Sequence, residues 1–157
     1  MAKVFSQSLL SAIADALGDT DEGLTGSEIS HLLTTCRMPD VTPEITKRHR
    51  LYNAFANTQN EKQDRRSILA FIRFAMKPER YTREPDRFEP MRANLNHALA
   101  FAGLAVEASG ELISVERAST LSEAQQRAAD LRADLQVRNI HPDIIRFCRE
   151  ELLVDNY

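Results

Sequence analysis

Thr46, Arg50, Asn53 and Asn57 stand at i, i+4, i+7 and i+11, a spacing that stacks four polar side chains on one helix face, with Lys47 beside them. These residue types suit recognition. A guanidinium offers a planar fork to guanine, phosphate or carboxylate, and an Asn amide can pair with adenine. A Lys adds a point charge whose grip on phosphate weakens with salt. The same set serves a protein-facing surface equally well. The five residues form the candidate contact set, for nucleic acid or for a partner protein.

Catalytic and metal chemistry find less to work with. Arg92-Ala93-Asn94-Leu95-Asn96-His97 fits an Arg-x(4–6)-His spacing, but sixteen Arg and four His in 157 residues yield about one such match by chance. Five positions apart on a helix, the two side chains share a face poorly. No Gly-x-Ser-x-Gly elbow, Walker-type loop or dinucleotide glycine motif occurs. His31 with Cys36, and His141 with Cys148, lack the Cys-x2-Cys or His-x3-His spacing that brings two ligands to one metal. The expectation is a non-enzymatic chain with no catalytic residue, no metal and no cofactor, whose two cysteines are buried thiols.

The elements that must position these residues follow from periodicity and caps. Leu9, Leu10, Ile13, Ala16 and Leu17 predict a helix over residues 6–17. Thr25 and Glu28 form a capping box ahead of a second helix with Ile29, Leu32 and Leu33 inward. Thr42-Pro43 opens a third, with Ile45, Tyr52 and Phe55 as its inner face. A fourth spans residues 64–76 and stops at Pro78. After the Pro-punctuated stretch 77–90, Asp86 and Glu89 are expected to cap a fifth, with Met91, Leu95, Ala98 and Leu99 inward. Alternating runs at 104–107 and 111–116 around Ala108-Ser109-Gly110 predict the one β-hairpin. Thr120 and Glu123 cap a sixth helix with Ala124, Ala128, Leu131 and Leu135 as its stripe. A turn at Arg138-Asn139-Ile140 leads to a seventh, opened by Pro142 and carrying Ile144, Ile145, Cys148 and Leu152.

The fold class is therefore mainly α (α+β), about seven helices with one hairpin. Residues 1–157 read as one domain, divisible into a core at 1–117 and a C-terminal helical pair at 118–157. The second and third helices, with the hairpin as a wing, form a loose helix-turn-helix or winged-helix pattern, although their connection exceeds the usual 3–4-residue turn. Charge is uneven. Residues 1–36 hold one Lys/Arg against five Asp/Glu, residues 37–92 thirteen against eight, and residues 93–157 six against ten. A basic middle lies between acidic ends. No apolar run approaches the roughly 18–20 residues of a membrane span, and no secretory leader is recognised, so a cytoplasmic location is expected.

Three stretches carry a family resemblance: GLTGSEISHLL from Gly23, ITKRHRLYNAF from Ile45, and LNHALAFAGLAV from Leu95. With them the chain resembles the N-terminal domain of AbiJ-like abortive-infection proteins, over nearly its whole length. The resemblance implies bacterial anti-phage defence, a sensor or regulatory role without catalysis, and a HEPN ribonuclease domain following this one. HEPN ribonucleases use an Arg-x(4–6)-His motif with a polar residue after the Arg; here Ala93 departs from it. The partners implied are that ribonuclease domain or a phage-derived protein, with a homodimer also open. A DNA- or RNA-binding helix-turn-helix-like module is the alternative.

Overall fold

The computed structural model describes residues 3–140, with side chains described over residues 3–130. Among them are six α-helices: α1 (Gln7–Leu17), α2 (Gly26–Thr35), α3 (Lys47–Lys62), α4 (Arg66–Ala75), α5 (Phe88–Leu99) and α6 (Leu121–Ile140). Strands β1 (Leu104–Val106) and β2 (Leu112–Ser114) lie between α5 and α6 and pair antiparallel, Ala105 facing Ile113. The mainly helical class with one hairpin is thus the observed architecture. None of the helices in the described residues is long and apolar enough to cross a membrane. The expected seventh helix from Pro142, together with His141 and Cys148, lies outside the described residues.

α1 is the central element, packing on α3 and on α5, while α2 packs on α4. Ser6 caps α1 by accepting the Leu9 amide at 3.2 Å, and Leu10, Ile13, Ala14 and Leu17 enter the core. Gly18 ends the helix where a Cβ would stand 2.8 Å from the Arg48 backbone nitrogen, so only glycine lets α1 approach the start of α3 this closely. The capping box of α2 forms as expected: Glu28 N–H donates to Thr25 Oγ1 and Thr25 N–H to Glu28 Oε1. Each such cap is worth about 1 kcal/mol. Ile29, Leu32 and Leu33 on α2 join Leu51, Phe55, Ile68, Phe71 and Ile72 in one continuous core. Phe55 and Phe71 meet edge to face at 5.0 Å between ring centres.

Four expectations change. The third helix begins at Lys47 rather than at Pro43, with Thr46 as N-cap, and Ile45 is left 40 % exposed instead of facing inward. Asp86 and Glu89 form no capping box. Pro85–Arg87 is a short 3-10 turn running straight into α5, Pro90 sits in the first helical turn where its missing N–H costs nothing, and Glu89 pairs with Arg92 instead. Arg138-Asn139-Ile140 is not a turn, because α6 continues through Ile140. Finally, α2 and α3 are not a helix-turn-helix pair: residues 36–46 separate them and each packs chiefly on a different helix.

Candidate functional site

The expected contact face of α3 is turned towards the protein. Arg50 is only 6 % exposed. Its Nη2 meets Asp40 Oδ2 at 2.6 Å and Ser30 Oγ at 2.7 Å, its Nε donates to both Asp40 oxygens, and its Nη1 donates to the Gly26 carbonyl. Lys47, half-buried, donates to the carbonyls of Asp19 (3.1 Å) and Leu24 (2.9 Å). Asn53 donates to Thr42 Oγ1 at 3.1 Å, and Asn57 is half-buried. Thr46 stays exposed and bonds His49 Nδ1 at 2.8 Å. Lys47, Arg50 and Asn53 are therefore not outward as expected: the α1–α2 loop, the start of α2 and residues 40–42 take them up. The neighbours at the start of α3 that do face solvent are Arg48 and His49, which with Asp15 and Tyr52 line a polar cleft of about 520 Å³ against α1.

The other arginine clusters are also internal. Arg87 grips Glu28 with two bonds (2.7 and 3.1 Å) and reaches the Gly23 carbonyl, so Glu28 serves both the cap of α2 and a link to residues 59 positions away. Burial pushes the Glu28 carboxyl up, but the Arg87 bond and the Thr25 amide outweigh it and hold the group below its ordinary value. Arg92, 2 % exposed, chelates Glu89 and donates to the Val106 carbonyl at 2.9 Å. The Arg of the Arg-x(4–6)-His spacing is therefore committed to the scaffold. His97 Nε2 is buried without a hydrogen-bond partner among the described residues.

Two buried amides do the work of missing strands. Asn96 accepts the Val106 N–H at 2.7 Å and donates to the Val106 carbonyl at 3.0 Å, closing the outer edge of β1. Gln59 treats the extended N-terminal segment the same way, accepting from Phe5 N–H (2.8 Å) and donating to its carbonyl (2.9 Å). Each satisfies two backbone groups that would be costly to bury alone. Phe5 is thereby fixed beside α1.

That fixed segment forms one wall of a cleft of about 570 Å³. Val4, Leu9, Ala12 and Phe101 supply apolar surface, and Arg65 and Arg117 are its two charged residues. Arg65 lies over the Phe5 ring at 4.8 Å. Among the described residues, no carboxylate pairs with Arg65 or Arg117, and none lines the cleft. Sequence reasoning passed over both arginines. They come from the α3–α4 junction and the end of the hairpin, on no common periodic face, so no local signal joins them.

Among the described residues no group of His, Cys, Asp and Glu could hold a metal ion; Cys36 is a half-buried free thiol whose pKa burial raises. Comparison with protein-family models, with curated proteins and with solved structures finds no match in any of the three.

Proposed function

We propose that this chain is a non-catalytic sensor or regulatory domain that acts in the cytoplasm by binding a protein, in the setting its resemblance implies: an abortive-infection system in which it controls a HEPN ribonuclease. One observation carries the choice of protein recognition over chemistry. The polar groups that could have formed a reactive cluster, Arg50, Arg92, Glu28 and Lys47, hold the fold together, whereas the cleft whose arginines pair with no carboxylate among the described residues has an apolar body. An apolar cleft with a few charged anchors is a binding geometry. Nothing in it pairs a nucleophile with a base.

The reading is tested by producing the chain together with a HEPN ribonuclease domain and measuring RNA cleavage. Complex formation that lowers cleavage, with relief during phage infection, is the expected result. Equal cleavage with and without the chain would sink the regulatory role, and RNA cleavage by the chain alone would sink the non-catalytic one. Of Lys47, Arg48 and Arg50, the residues that would supply phosphate contacts in the nucleic-acid alternative, Lys47 and Arg50 are turned inward and only Arg48 stays exposed. That alternative's own test is a gel shift of duplex DNA and of RNA at about 50 mM salt, where phosphate contacts are strong.

A further inference from the structure

We infer that the cleft between the N-terminal segment, α1 and the hairpin is the docking site for an acidic amphipathic peptide segment of a partner protein, and that its occupation is felt by α6. This rests on the regulatory reading above and gives it a surface.

The chemistry of the occupant follows from the walls. Leu9 and Ala12 lie on the same face of α1, three positions apart, and line the cleft together with Phe101 and Val4, the latter 52 % exposed. This is a hydrophobic patch that water covers poorly. Arg65 and Arg117 enter from the α3–α4 junction and from beyond β2. Arg65 is steadied by the Phe5 ring, and Gln59 in turn fixes the Phe5 backbone, so this guanidinium is positioned before any ligand arrives. Two guanidiniums without carboxylate partners among the described residues call for two acidic groups, and the apolar body between them calls for aliphatic or aromatic side chains. A helical or extended peptide with acidic residues bracketing apolar ones supplies both.

Single-stranded nucleic acid fits less well. It needs a cationic track and successive stacking faces, and here Phe101 is the one lining aromatic not already covered by a cation.

Coupling to α6 comes through the same Phe101. The residue lines the cleft and also packs on the small cluster of Ala100, Ala118 and Ala124. Ala124 lies in the first turns of α6, next to the Thr120 side chain that caps the Glu123 amide at 3.1 Å. A ligand pressing on Phe101 therefore touches the cluster that anchors the start of α6.

The test uses the full chain and a random peptide library. Selection should enrich peptides with acidic residues bracketing Leu, Ile or Phe. A labelled enriched peptide should bind by fluorescence anisotropy, and Arg65→Gln with Arg117→Gln should weaken it at least about tenfold. Arg73→Gln, an exposed cation outside the cleft, should leave binding unchanged. Hydrogen exchange across residues 121–125 should slow when peptide is bound. Failure to enrich any peptide, a consensus without acidic residues, or binding that survives the double variant would overturn the docking site. So would a labelled 12-mer RNA whose binding the same variant abolishes, which would hand the cleft to nucleic acid. Unchanged exchange in α6 would overturn the coupling. Neither phage nor nuclease enters this experiment, so its failure is separate from failure of the restraint assay.

Discussion

Arg50 on α3 and Arg65 just past its end belong to the same basic stretch of chain, yet they meet opposite fates. Arg50 is surrounded by Asp40, Ser30 and the Gly26 carbonyl and is nearly out of water. Arg65 lies over an aromatic ring at the mouth of a cleft where no anion among the described residues meets it. A buried cation must be paired, because leaving it uncompensated costs several kcal/mol. A cation at a surface cleft needs no partner to be tolerated, and so remains available. The lesson is that basic residues near one another in sequence divide into scaffold and surface according to what the rest of the chain lays over them.

The strongest way to break the comparison is Arg50→Ala, which strands Asp40 and Ser30. Because Asp40 keeps 25 % side-chain exposure, the expected loss is about 2–3 kcal/mol rather than the full cost of a buried pair. Urea unfolding measures it, and a loss under about 0.5 kcal/mol would return Arg50 to the contact set. Next, Asn96→Ala leaves the Val106 N–H without its acceptor and weakens the bonding of its carbonyl. About 2 kcal/mol is expected, with faster hydrogen exchange at the Val106 amide. Exchange there as slow as in the unaltered chain would mean that the amide does not close the strand edge.

A smaller effect should appear with pH. The folded Glu28 carboxyl lies below its ordinary value of 4.5. Its contribution is therefore complete above that value and is lost as pH falls through the lower folded one. Between about pH 6 and about pH 3 the unaltered chain should lose more stability than Glu28→Gln. Equal losses would place the acid sensitivity elsewhere. Smallest of all is the stability change from Arg65→Gln with Arg117→Gln, under about 0.5 kcal/mol because both lie at the surface. That near-silence in melting, set against loss of peptide binding, is the sharpest separation of the two kinds of arginine.

Much of the helical frame was legible in local sequence. Thr25 and Glu28 announce the start of α2 because both halves of the cap lie within one turn. Leu10, Ile13, Ala16 and Leu17 reveal a buried face because helical periodicity is local. The start of α3 was misjudged because Thr42-Pro43 is an equally good local signal, and the cap falls instead at Thr46. Of the candidate site, the spacing of Arg50, Asn53 and Asn57 places them along one side of α3, with Thr46 as its N-cap. It carries no information on Asp19, Leu24, Gly26 and Ser30, which take up Lys47 and Arg50 from 20 or more positions away.

The sequence by itself determined a helical chain with one hairpin, the caps that start α2 and α6, and the apolar stripes of the core, because each depends on neighbours within a turn or two. Tertiary structure alone decided which polar residues are spent on the fold. It set Arg50 inside and Arg65 and Arg117 across a shared cleft, and it made Asn96 and Gln59 into substitutes for absent strands. Exposure is a property of what packs over a side chain, and those covering segments come from parts of the chain that local periodicity does not connect.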